Sequence, residues 1–173
     1  MTLSMSEASV PAFRAGLTSM AAILDKTLAQ CAERKIDPGV LMSDRLALDM
    51  FPFTRQVQIA ADFAKNTVAR LAGREVPRFE DIETTAPELQ DRIARTLAFV
   101  DSVPGHEIDG SEEREITLTI VGQATTFRGQ PYLLHFALPN FYFHLTTAYA
   151  ILRHNGIQLG KRDFLGALPG TGS

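Results

Sequence analysis

Pro139-Asn140-Phe141-Tyr142-Phe143-His144-Leu145-Thr146-Thr147-Ala148-Tyr149-Ala150-Ile151-Leu152-Arg153-His154-Asn155-Gly156 decides how this chain folds. It reads as the body and end of a long apolar helix. Asn-Gly stops it, and Arg153 and His154 suit the negative end of the helix dipole. Its inward stripe is Leu133, Ala137, Asn140, His144, Ala148 and Ile151. Asn140 and His144 stand one above the other on that stripe, four residues apart. Polar groups on a buried face need partners, because burying one unpaired costs roughly 1–3 kcal/mol. The pattern predicts a polar pocket inside a helical bundle. The helix begins near Pro131, and Pro139 inside it predicts a kink one turn back, near His135.

Three more helices surround it. Val10, Phe13, Leu17, Met20, Leu24, Leu28 and Cys31 draw one stripe over roughly residues 5–35. Ser4 and Glu7 have capping-box spacing, although Pro11 would also fit a start at Ser9. Asp37-Pro38-Gly39 ends this helix, and residues 38–48 read as a connection with room for one short helical turn. The second helix carries Met50, Phe53, Val57, Ala60, Ala64, Val68 and Leu71 and stops at Gly73. Asp49 is its candidate N-cap, with Pro52 in the first turn. Residues 74–84 lack a period and read as a crossover along the bundle. Thr85-Ala86-Pro87-Glu88 starts the third helix, which carries Leu89, Ile93, Leu97 and Val100 and stops before Val103-Pro104-Gly105.

The strand signal is Glu115-Ile116-Thr117-Leu118-Thr119-Ile120. Val121-Gly122-Gln123 is the turn, and residues 124–127 return. A two-stranded hairpin is marginal alone, so its Ile116, Leu118, Ile120 side should rest on the helices. The expected fold is a mainly α four-helix bundle with a long crossover after helix two and a small hairpin between helices three and four. Residues 1–166 are expected to form one domain and 167–173 a flexible tail.

Composition narrows the function classes. The chain has 173 residues, 45% hydrophobic, with a formal charge of -3. That suffices for a core and leaves no basic footprint for nucleic acid. One cysteine, Cys31, excludes an intramolecular disulfide and sits on a core stripe. No charged leader precedes an apolar run, and no window approaches ~20 uncharged apolar residues, so neither signal peptide nor membrane span is expected. The expected setting is the cytoplasm. Gly-x-Ser-x-Gly, His-Glu-x-x-His, Cys-x-x-Cys and phosphate-loop patterns are absent.

If helix two packs on helix four, Asp49 and Gln56 can meet Asn140 and His144. One carboxylate, one imidazole and two amides would then line a pocket for a small polar ligand. Each residue also has a plainer reading: Asp49 as N-cap, Gln56 as a solvated flank, Asn140 and His144 bonded to each other or to a carbonyl freed by Pro139. As a metal set it is thin, since catalytic zinc usually takes three protein ligands. His135 is half a turn out of phase with His144 and reads as packing or capping. His106 reads as solvent-exposed and His154 as a helix-end residue. Phe136, Phe141 and Phe143, with Tyr142 and Tyr149, make helix four apolar nearly all round, which favours a central position or a homodimer interface.

Asp49-Met50-Phe51-Pro52 to Gln56, and above all the string from Leu134-His135-Phe136 to Asn155-Gly156, resemble the family called domain of unknown function 1993. The opening to Leu24 and the ending Leu159-Gly160-Lys161-Arg162-Asp163-Phe164-Leu165 resemble it too. That family looks like a branch of the DinB/YfiT-like superfamily of proposed metalloenzymes, which are four-helix bundles, often dimers. The resemblance implies a divalent metal, zinc or nickel, held by three histidines: one from helix two and two from a His-x-x-x-His on helix four. Here helix four reads Asn140-x-x-x-His144, and helix two has no histidine. The expectation is a bundle with a polar core pocket that binds a small ligand or serves structure, without the usual metal or any cofactor. The alternative is a divergent metal-dependent hydrolase or thiol transferase with His144 and Asp49 as ligands.

Overall fold

The structure is a computed structural model and describes residues 3–167. Helix α1 spans Met5–Arg34. Ser4 Oγ accepts the Glu7 N–H at 3.3 Å, and the Glu7 carboxylate accepts the Ser4 N–H at 3.1 Å. That box sets the start at Met5 rather than Ser9. Pro11 is tolerated because both it and Glu7, whose carbonyl it leaves unbonded, are exposed to water. Lys35 ends α1 in the left-handed conformation, and Asp37 caps a short α2, Pro38–Ser43.

Helix α3 spans Phe53–Ala72 and ends at Gly73, whose φ of 69° suits glycine. Its start corrects the expected cap. Asp49 lies in an exposed turn, and Pro52, which has no side chain to offer, occupies the N-cap position. The physical reason is the proline: it disfavours helical backbone at Phe51, so the chain stays extended until Phe53. The Phe53 N–H is taken by the carbonyl of Asp44 at 2.9 Å.

Residues 74–84 cross the bundle as irregular chain. Helix α4, Ala86–Ser102, begins with the Thr85–Glu88 box, and a one-turn α5, Gly105–Ile108, follows. Strands β1, Glu115–Ile120, and β2, Gln123–Arg128, pair antiparallel with Glu115 opposite Arg128 and Ile120 opposite Gln123. Gln123 therefore belongs to the strand, and the turn is only Val121-Gly122, with φ of 49° and 77°. Ile116 is buried and Leu118 and Ile120 half-buried, so the hairpin rests on the helices by the expected face.

The fourth bundle helix has three parts: α6, Gly129–Pro131, a π-helical turn over Tyr132–Ala137, and α7, Leu138–His154. The π turn is the expected disruption around His135. Pro139 has no N–H to give the preceding turn, and the Leu138 N–H reaches five residues back to the Leu133 carbonyl. A short α8, Lys161–Leu165, returns against α1 and is tied to it by a Lys26–Asp163 ion pair of 3.1 Å. The sequence reading did not foresee α8. Apart from Ala167, the tail expected over 167–173 lies outside the described residues.

Helix α3 packs on α7 and α4, and α1 on α4 and α7. The core between them contains Phe13, Leu17, Leu24, Val57, Ala64, Val68, Leu89, Ile93, Phe141, Leu145 and Ile151. Gly16 allows α1 and α7 to approach: a Cβ there would come 2.6 Å from Leu145. Cys31 is buried in this core, and burial raises its thiol pKa. Among the described residues no helix is long and apolar enough to cross a membrane.

The crossover is anchored by buried charge. The fully buried Arg92 meets Asp62 at 3.0 Å, Asp81 at 2.9 Å and Glu83 at 3.1 Å, and it also donates to the Glu80 carbonyl at 3.0 Å. Lys65, also buried, donates to the Pro77 carbonyl and lies 4.5 Å over the Phe79 ring. These bonds hold the crossover against α3 and α4.

Candidate functional site

Gln56 lies in the first turn of α3 and is buried, not the solvated flank residue that its position suggested. Its Nε2 donates to the Phe51 carbonyl at 3.0 Å. That bond orients the amide and turns Oε1 inward, where His144 Nδ1 lies 2.7 Å away on α7. An amide oxygen can only accept, so Nδ1 carries the imidazole proton and Nε2 carries the lone pair. Nε2 takes no hydrogen bond from the described residues and is not sealed from solvent.

Two aromatic rings hem the imidazole. Phe63 stacks on it at 6.0 Å, 19° from parallel, and Phe143 meets it edge-on at 5.3 Å. Burial, together with the positive charge of Arg55, lowers the His144 pKa from 6.5 to about 4. The ring is therefore neutral throughout the physiological range. Sequence reasoning missed Arg55 and Phe63. The seven-residue step from Gln56 to Phe63 puts both on one face of α3 and could have shown the second.

Of the four residues expected to converge, the structure joins two. Asn140 shares a face with His144 but donates its Nδ2 to the Phe136 carbonyl at 2.7 Å, inside the π turn beside Pro139. That bond is local to the helix: it goes neither to His144 nor to the carbonyl that Pro139 leaves free. Asp49 stays in its exposed turn and makes no hydrogen bond or ion pair with the described residues. His106, His135 and His154 are exposed and lie apart from the pair.

This donor set does not fit a three-histidine metal centre. One imidazole nitrogen is free, the Gln56 oxygen is committed to His144, and the Asn140 amide is committed to the π turn. Among the described residues no group of three His, Cys, Asp or Glu side chains is placed to hold a metal ion. What the site offers instead is a fixed, neutral hydrogen-bond acceptor with aromatic walls.

Comparison with known proteins agrees with the fold. A family model described as Domain of unknown function (DUF1993) matches residues 5–165. A crystal structure of a DinB family member protein from Shewanella denitrificans is 40% identical in sequence, with a TM-score of 0.88 over 97% of this chain and 95% of that one. No curated protein matches.

Proposed function

The chain belongs to the domain of unknown function 1993 family, and we propose that it is a DinB-like bundle that binds a small polar ligand at the Gln56–His144 pair without a three-histidine metal. The observation that supports this reading most is the 2.7 Å bond from His144 Nδ1 to Gln56 Oε1. It fixes one tautomer and leaves Nε2 as an acceptor aimed away from its partner. A ligand hydroxyl or amine would donate to Nε2 while its apolar part lies against Phe143, which is half exposed. The neutral ring also keeps general-base capacity at physiological pH.

The other reading is a divergent divalent-metal enzyme, a hydrolase or thiol transferase, and the free Nε2 is the one feature that favours it. The experiment that separates the two is elemental mass spectrometry of untagged wild type and His144→Ala protein. About one transition metal per chain, lost in the variant, would overturn the proposal. Metal-free, folded wild type whose melting temperature rises with hydroxyl- or amine-bearing small molecules, and only while His144 is present, supports it. The homodimer belongs to the same proposal. Tyr142 and Phe143 are exposed on α7 and are the surface it would use, and sedimentation equilibrium checks it.

A further inference from the structure

The face of α3 that carries Gln56 continues toward the hairpin. Ile59, Phe63, Asn66 and Arg70 follow at steps of four, three and four, so their side chains line one groove. Leu118 and Ile120 of β1 form the opposite wall, and Phe136 of the π turn closes one end. The cleft has a volume of about 350 Å³, within the range that holds a small molecule. Its walls are divided about evenly between apolar and polar groups, and two of the polar ones keep hydrogen-bonding capacity unused.

The first is Arg70. Its Nη1 donates to the hydroxyl of Tyr132 at 3.1 Å, and that buried hydroxyl lies 3.2 Å from Thr67 Oγ1. The guanidinium is therefore held in place, yet no carboxylate of the described residues lies within ion-pair distance of it. The second is Asn66. Its amide makes no hydrogen bond with the described residues, and its Oδ1 is sealed from solvent. Asn66 and Arg70 are one turn apart, so one ligand group can touch both.

The charge in the cleft has a direction. Asp62 also lines it, but Arg92 and Lys65 already meet that carboxylate. Asp62 and Arg70 are eight residues apart, roughly 12 Å along the helix, with Asn66 between them. A singly charged anion at Arg70 thus gains the fork of the guanidinium and stays clear of Asp62. A phosphate dianion would need more cationic groups than this end of the cleft supplies.

We propose that the cleft between α3 and the β1–β2 hairpin binds a small carboxylate with an apolar body. The carboxylate sits on Arg70, and the Asn66 Nδ2, the end of that amide that is not sealed from solvent, is its second polar contact. The body lies between Phe63, Phe136, Leu118 and Ile120. The site shares only Phe63 with the Gln56–His144 pair and does not depend on the proposal made for that pair.

The test uses 3-phenylpropionate and its uncharged analogue 3-phenylpropanamide, each titrated into wild type, Arg70→Gln, Ile120→Trp and His144→Ala protein and followed by amide NMR shifts. The expected result is saturable binding of the carboxylate to wild type with a Kd on the order of 1 mM, reasonable for so small a ligand. Shifts should concentrate on α3 and β1. The amide should bind at least about tenfold more weakly, as should the carboxylate to Arg70→Gln. Ile120→Trp keeps Arg70 and fills the cleft, so it too should abolish binding, while His144→Ala should bind like wild type. No saturable binding to wild type overturns the proposal. So does equal binding of acid and amide, or undiminished binding by folded Arg70→Gln or Ile120→Trp. Loss of binding in His144→Ala alone would assign the ligand to the other site and equally overturn it.

Discussion

Gln56 fixes the tautomer of His144 across the α3–α7 seam: its Oε1 accepts the Nδ1 proton at 2.7 Å, 88 residues away in sequence. Its Nε2 is held by the Phe51 carbonyl, so the amide cannot turn round without losing that bond. One glutamine therefore does two things, anchoring the loop that enters α3 and orienting the imidazole. Replacing it should be felt in both.

Gln56→Glu places a carboxylate against the imidazole. An opposite charge at hydrogen-bond distance favours the protonated ring. The His144 pKa, about 4 in the wild type, should rise by about 2 units or more. Titration of the imidazole carbon-bound protons by NMR reads this directly. An unchanged His144 pKa in a folded variant would mean that residue 56 does not face the ring.

Acid stability follows from the same burial. An unfolded His144 takes up its proton near pH 6.5, whereas the folded ring resists until about pH 4. The unfolded state binds more protons in that window, so the folded state loses stability as pH falls from 6.5 to about 4, by at most about 1.4 kcal/mol per pH unit. Above pH 6.5 the histidine contributes no pH dependence. Urea unfolding of wild type and His144→Gln from pH 7.5 to 4 should show the two stabilities converging, or crossing, across that window. Parallel curves would count against a buried neutral His144. Carboxylates such as Asp44 and Glu107 titrate alike in both proteins and cancel.

The helix-four stripe and the capping boxes at Ser4 and Thr85 were legible because they depend on neighbours within one turn. So was the disruption before Pro139, since a missing N–H acts locally. The Gln56–His144 contact was legible as a possibility: both residues are polar on or beside an apolar stripe. Asp49 misled because Asp-x-x-Pro resembles a helix start, and the proline's effect on Phe51 outweighed it. Arg92 was not legible at all. An arginine between Leu89 and Ile93 reads as surface, and only the fold brings Asp62, Asp81 and Glu83 around it. Arg70 and Asn66 were hidden in the same way, because the hairpin that turns their face of α3 into a cleft arrives from about fifty residues downstream.

The turn Val121-Gly122 holds a β-branched residue at a φ of 49°, where such side chains are disfavoured. Val121 is fully exposed, so it gains no burial in return. Asparagine tolerates this conformation, and Asn-Gly is the preferred pair for a two-residue turn of this hand. Val121→Asn should stabilise the protein by roughly 0.5–1 kcal/mol, measured by chemical denaturation. A neutral or destabilising result would show that the turn does not hold the left-handed conformation at that residue.

Arg92 is the residue whose loss should cost most. It is fully buried, and its two terminal nitrogens meet three carboxylates, of which Glu83 is nearly as buried. Removing it with Arg92→Met leaves Glu83, among the described residues, with Gln58 and the half-exposed Arg95 as partners. Truncating one side of a buried ion pair costs on the order of 3–5 kcal/mol, because the remaining charge stays out of water. Arg92→Met with Glu83→Gln should recover part of that loss, since the stranded charge is gone. A double variant no more stable than the single one would place the cost in lost packing, and in the ties to Glu80, Asp62 and Asp81, instead of in the unpaired carboxylate. Either variant should also loosen the crossover, which hydrogen exchange of the backbone amides over residues 76–84 would report.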